Sequence, residues 1–572
     1  MDTQRLVLFF ALSFVVLLLW DSWNQKYGPA SQVPIVATSQ APGAEGVASA
    51  IPVEDTAPLS PSVDASADDK PTSPAATAAM APADPTEKTQ AALGSNKRIR
   101  IVTDLYEIGV DVIGADLRSA YLKKYPISLD EPDMPYPLMD DALPQLFIAQ
   151  TGLLSKNSAP DHHAVFQASQ DEFRMADGED ELRVPFTWMS NDGIKVTKTF
   201  VFKRDSYLIN VDHVVENNSG AEWKGRLYRQ FQRNQYDEPG KSRMLYTFTG
   251  AAISSPNKPY EKVEFEDMAT WKPEQSYSKG GWVAMLQHYF VSAWVPGKDD
   301  VNHFYTRALK DDRYIAGMTS EEKSFAPGTQ GSISTKLFIG PKEQSRLESV
   351  EENLKLTVDY GILHFFAQPL YWVLEFLHQY LGNWGWSIVF LTLLIKLMFY
   401  KLSEASYRSM ANMRAIAPKF QSIRDRYGDD RQRMSQAMME LYKKEKVNPL
   451  SGCWPMLVQI PVFIALYWMI LESVELRQAP FMLWIEDLSA KDPFYVLPLL
   501  MGASMFIQQK LSANPSLDPM QQKILQFLPI IFTLFFMLFP SGLVLYWVVN
   551  NCLSILQQWY ITRKIEKASQ KA

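Results

Sequence analysis

Between Ser451 and Trp559, four apolar runs separated by Pro, Gly and a few polar turns fill little more than a hundred residues, and nothing else so limits what this chain can become. With the run just upstream they predict five membrane spans: 384–402, 453–471, 494–509, 524–539 and 543–560. Only Pro540-Ser541-Gly542 divides the last two. One helix of their joint length would overshoot a bilayer, so the chain turns back there. Lys396 is the only Lys, Arg, Asp or Glu well inside any of the five runs.

The other segments differ in kind, and 572 residues are too many for one ordinary domain. The net charge of -7 averages over dissimilar parts. Leu6 to Trp20 is apolar behind Arg5, and bulky Trp20-Asp21-Ser22-Trp23 follows where a signal peptidase would need small residues. Residues 1–27 therefore read as an uncleaved transmembrane anchor, although small residues near Ala30 leave cleavage open. Residues 28–95, rich in Ala, Pro, Ser, Thr and Asp, bury too little apolar surface to offset ordering and read as a disordered tether.

Residues 96–346 carry short β-rich segments and predict an antiparallel β-sandwich. Tyr207, Ile209, Val211, His213 and Val215 alternate with Leu208, Asn210, Asp212, Val214 and Glu216, the period of a half-buried strand. Lys203-Arg204-Asp205-Ser206 is the expected turn from the strand before it. Cys453 and Cys552 lie in apolar runs, so no disulfide staples the sandwich.

Residues 360–380 place apolar side chains at 363, 366, 370, 373, 374 and 377, an amphipathic helix suited to the interface plane or, alternatively, packed on the sandwich. Residues 403–450 read as a helical hairpin broken at Tyr427-Gly428-Asp429-Asp430 and bent at Pro418. Its Met residues 410, 413, 434, 438 and 439 suit either a docking surface or a small private core.

Charge sets orientation. Residues 401–446 hold eleven Lys or Arg against six Asp or Glu, 472–492 two against five, and the tail 561–572 is basic. The hairpin and both termini are thus expected in the cytoplasm and the sandwich in the periplasm.

A Lys near a helix midpoint costs ~2.5–3.5 kcal/mol. Lys396 lies about five residues, ~7 Å of helix, from the end at Lys401, so snorkelling is one way to offset that cost. The short runs 494–509 and 524–539 favour the other, a wet cationic pocket in a thinned bilayer. Thr392, Gln459, Asn550 and Asn551 sit at comparable depth, and no membrane carboxylate stands ready to neutralise the charge.

At this point specific motifs accumulate: Gly382-Asn383-Trp384-Gly385-Trp386-Ser387-Ile388, Lys446-Val447-Asn448-Pro449-Leu450, Gly452-Cys453-Trp454-Pro455, Glu475-Leu476-Arg477-Gln478-Ala479-Pro480-Phe481, Asp518-Pro519-Met520-Gln521-Gln522-Lys523 and Phe539-Pro540-Ser541-Gly542-Leu543-Val544-Leu545-Tyr546-Trp547. In this order they resemble the YidC membrane protein insertase family, and the N-terminal half resembles its Gram-negative form.

The resemblance implies a multi-pass protein of the bacterial inner membrane, with a five-helix core around a hydrophilic groove open to cytoplasm and lipid. It implies insertase and chaperone work on nascent membrane proteins, alone or with the Sec translocon and its accessory subunits, beside a translating ribosome and in contact with the bilayer. No sequence-specific nucleic acid is implied. Lys396 takes the place of a groove residue that is usually Arg, keeping the charge without the bidentate fork. By the same resemblance Thr392, Gln459, Ile460, Pro461, Tyr546, Trp547 and Asn550 line the groove or its client-facing side.

Other classes fare worse. A secondary transporter or channel could use Lys396 but predicts broken helices and coupling-ion sites. No His falls within a span and none contains a pair of Asp residues, which argues against an intramembrane protease. No Gly-x-x-x-x-Gly-Lys-Ser/Thr loop appears, and no catalytic residue, metal or cofactor is expected. Asp161-His162-His163 and Ser255-Pro256-Asn257-Lys258 are short, frequent patterns without supporting partners. The family's sandwich resembles sugar-binding folds, and a fold alone licenses no activity.

Overall fold

A computed structural model of the chain describes residues 70–71, 97–236, 247–275, 277–427, 430–445, 454–512 and 519–569. The expected anchor, nearly all of the tether, Gly428-Asp429 and 446–453 lie outside the described residues.

Two sheets of eleven and nine strands face each other in the N-terminal half. Every ladder is antiparallel but one, the short parallel pairing of Arg98–Val102 with Glu172–Arg174. In the nine-stranded sheet, Leu208–Asn217 lies between Ile194–Lys203 and Thr329–Pro341. Its burial alternates as the sequence period requires, with Ile209, Val211, His213 and Val215 inward. The expected turn joins it to Ile194–Lys203, and Asp205 there takes a left-handed φ of 50°.

The sandwich interior is not wholly apolar. Besides Trp223, Trp282 and Trp294 it buries a polar group. Within it Lys198 Nζ donates to the carbonyls of Gly114 at 2.9 Å and Thr151 at 3.2 Å, and Gln150 Nε2 donates to Asp116 at 2.9 Å.

After the sandwich come α1 (Gln344–Val350), α2 (His364–Leu381), α3 (Trp384–Met398), α4 (Tyr400–Ala415), α5 (Ala417–Tyr427), α6 (Arg431–Lys444), α7 (Trp454–Glu472), α8 (Val496–Leu511), α9 (Pro519–Phe536) and α10 (Ser541–Ser569). On α9, Phe527, Ile530, Ile531 and Leu534 recur at helical spacing and are each more than half exposed. A globular protein would bury such a stripe; here the bundle turns it outward.

Among the described residues no single helix is both long and apolar enough to cross a membrane. The pair Trp384–Met398 and Tyr400–Arg414 passes jointly across a 66° bend, and Val458–Glu472 and Leu525–Phe536 are shorter apolar helices. The stretch 384–402, expected as one span, therefore bends at Phe399, beside the first charged residue after the apolar run. α4 ends at Ala415, one residue before α5, in which Pro418 takes the second position, where its missing N–H is tolerated.

α2 departs from its expected stripe. Ala367, Tyr371 and Leu374 are buried against the rest of the protein, while Phe366 and Val373 are exposed together with Phe365, Trp372, Phe376 and Tyr380. Both faces are apolar, so periodicity alone could not tell the protein side from the outer one.

Candidate functional site

The corner between α2 and α3 aims the site. Gly382 closes α2 with a left-handed φ of 63°, the conformation glycine adopts without strain. Asn383 then caps α3, its Oδ1 accepting the Trp386 N–H at 3.0 Å while its Nδ2 donates to the Pro480 and Phe481 carbonyls. Gly385 lies flat against the Phe481 ring, where a Cβ would clash.

With the corner fixed, α3 turns Gly385, Ile388, Thr392, Ile395 and Lys396 inward. At the opposite wall, Ser541 Oγ donates to the Asp487 carbonyl at 2.7 Å and the Gly542 N–H to Leu488 at 2.9 Å, which sets the start of α10.

Lys396 is only 8% exposed. Its Nζ donates to Ser554 Oγ on α10 at 2.7 Å, and that hydroxyl donates in turn to the Asn550 carbonyl at 2.7 Å. No charged group among the described residues acts on it. The ammonium is thus drawn into the bundle and held by one neutral oxygen, in contrast to a snorkelling side chain whose head stays in water.

A polar seam continues along α10. Asn551 Nδ2 donates to Ser504 on α8 at 3.0 Å, and Gln558 Nε2 donates to the Leu511 carbonyl at 2.9 Å.

The remaining expected residues fall on three helices. Thr392 is buried beside Lys396, but its hydroxyl is spent within α3, donating to the Ile388 carbonyl at 2.7 Å. Asn550 contributes through its main-chain carbonyl. Tyr546 and Trp547 pack around Phe463 of α7, at ring separations of 6.1 and 4.9 Å, and the Trp547 indole N–H is buried without a partner among the described residues. Gln459 and Pro461 are half-buried on α7, and Ile460 is 44% exposed.

Sequence reading missed Ser554 and Ser504. A signal existed, because Asn550, Ser554 and Gln558 form an i, i+4, i+8 polar stripe in an otherwise apolar run.

The weak motifs of the sandwich dissolve. His162 is buried with Nδ1 against the Tyr228 hydroxyl at 2.5 Å, and Asp161 pairs with Lys70 at 2.7 Å. Lys258 is engaged by Glu261 and Glu274. Among the described residues no group of three His, Cys, Asp or Glu could hold a metal ion.

Comparison with known proteins gives this arrangement its relatives. A family model described as the YidC periplasmic domain matches residues 98–373, and one described as the 60Kd inner membrane protein matches 376–568. A protein of Thioalkalivibrio sulfidiphilus named Membrane protein insertase YidC is 51% identical, covering 100% of both chains.

The chain belongs to the YidC family.

A second YidC, from Methylococcus capsulatus, is 47% identical, again over 100% of both chains. A solved structure titled as an active YidC insertase with its first transmembrane domain resolved is 18% identical. It covers 82% of this chain and 93% of its own, at a TM-score of 0.40. By its two family models the chain is a multidomain membrane protein, a periplasmic antiparallel sandwich followed by an α-helical transmembrane bundle.

Proposed function

We propose that this protein inserts, folds and assembles inner-membrane proteins, alone or with the Sec translocon and beside a translating ribosome, with Lys396 as the charge that receives the client. Both termini and the α4–α6 hairpin lie in the cytoplasm in this reading. The groove is lined by Thr392, Gln459, Ile460, Pro461, Tyr546, Trp547 and Asn550.

The observation that carries the reading is the bonding of Lys396. A buried cation held by a single hydroxyl can exchange that partner for a better one. A hydrogen bond from an ammonium to a hydroxyl is worth about 1.5–3 kcal/mol net, whereas a carboxylate ~4 Å away at an effective dielectric of about 20 attracts by ~4 kcal/mol before desolvation. An acidic residue in a client's short translocated loop can therefore displace Ser554. The client's apolar segment meanwhile slides into lipid along the outside of the bundle, and its transfer supplies the drive. No bond is made or broken, so the protein acts without catalytic residues and is not an enzyme in this reading.

A depletion-rescue assay tests this. Cells carrying Lys396→Ala, Lys396→Arg or Lys396→Glu are compared for growth and for insertion of a two-span client with an acidic translocated loop. Arg should support insertion, Ala should weaken it, and Glu should weaken it most. Undiminished insertion by the Glu variant would rule out the electrostatic role.

A further inference from the structure

Where the sandwich meets the outer end of α7 there is a cavity of about 290 Å³. Its wall carries two ammonium groups, Lys262 and Lys342, and two carboxylates, Asp359 and Glu472. Lys262 pairs with Asp359, and Lys342 stands 3.8 Å from Glu472, beyond hydrogen-bond length, with both side chains almost fully buried. The Tyr260 hydroxyl, also at the cavity, is buried with no partner among the described residues. Trp468 and Phe248 supply apolar wall, and Lys262 lies over the Phe248 ring at 5.0 Å.

Charge and position narrow the occupant. Two ammonium groups face two carboxyl groups, so a ligand bringing net charge would leave one buried charge uncompensated, which is costly. Burial favours the neutral form of Glu472, and an ammonium placed beside that carboxyl restores its charge. A ligand bearing one anion and one cation can be received by both pairs at once. The cavity lies at the end of a membrane helix beside the periplasmic domain, where lipid headgroups are found. Gly361 borders it with open space where a Cβ would sit, and Phe365 and Phe366 beyond it are exposed, an apolar path for acyl chains.

We propose that this cavity binds the zwitterionic headgroup of an ethanolamine phospholipid, its phosphate between Lys262 and Lys342 and the Tyr260 hydroxyl, its ammonium between Asp359 and Glu472. A bound lipid would tie the sandwich to the outer leaflet and fix its stance over the bundle.

Native mass spectrometry of the full chain from nanodiscs with equal phosphatidylethanolamine and phosphatidylglycerol tests this directly. Ethanolamine lipid should be retained over glycerol lipid by at least about threefold. Glu472→Gln should lower that preference, and Tyr260→Phe, which keeps the ring and its packing, should lower it less. Soluble phosphoethanolamine should displace the lipid and inorganic phosphate should not. Equal retention of both lipids by the unaltered chain overturns the assignment, as does an undiminished preference in both variants or displacement by phosphate alone.

Discussion

Lys198 and Lys396 are both buried, and they are kept in opposite ways. Lys198, inside the sandwich, is held by two main-chain carbonyls with Asp116 nearby, and burial still pushes its ammonium down to about 8. Lys396, inside the bundle, has one hydroxyl and no counter-charge among the described residues. The Thr151 carbonyl is fixed in a strand and the Gly114 carbonyl in the turn between two others, so neither can be traded without disturbing the sheet. A serine hydroxyl on a neighbouring helix can rotate away. The first arrangement is structural, whereas in the proposed function the second leaves the cation available to a client.

The contrast breaks first at Lys198. Lys198→Met leaves the Gly114 and Thr151 carbonyls without their donor, and should destabilise the sandwich by ~1–3 kcal/mol for each, read as a lower denaturation midpoint of the periplasmic domain. Little loss there would mean that the two sites do not differ as described.

A pH test addresses the junction between the two regions. Glu475 accepts the Tyr371 hydroxyl at 2.7 Å, and burial pushes its carboxyl up to about 7. The folded state favours the protonated acid, so this contribution is complete below the ordinary carboxyl range near 4.5 and is lost as pH rises through about 7. The loss is at most about 3 kcal/mol. Thermal unfolding of the full chain should show stability falling between about pH 4.5 and 7, and Glu475→Gln should reduce that dependence, the Glu472 carboxyl, also pushed up to about 7 by burial, supplying the rest.

Smaller effects sharpen the contrast at Lys396. Lys396→Ala should lower insertion of an acidic-loop client on the order of tenfold, about 1.4 kcal/mol, with sandwich stability unchanged. Ser554→Ala leaves the charge and removes only the partner that the client itself displaces, so insertion should change by only about fivefold or less. A Ser554 effect larger than that of Lys396 would reverse the roles.

Much of this was legible in the chain. The inward set around Ile209 and His213 followed from strand period, and Lys396 stood out because a charge inside an apolar run demands an explanation. The bend at Phe399 carried no Pro or Gly to mark it. The exposed face of α2 was misread because lipid, unlike water, leaves no polar signature on the outer side. Ser554 was legible only as the middle of the Asn550, Ser554, Gln558 stripe, and Tyr371 with Glu475 are joined only by tertiary folding across more than a hundred residues.

The most direct test is a charge reversal on both sides of the encounter. Insertion of two otherwise identical clients, one with aspartates and one with lysines in the translocated loop, is measured with the unaltered chain and with Lys396→Glu. The acidic loop should be preferred by the former and the basic loop by the latter. The same preference in both would show that the buried ammonium does not meet the client.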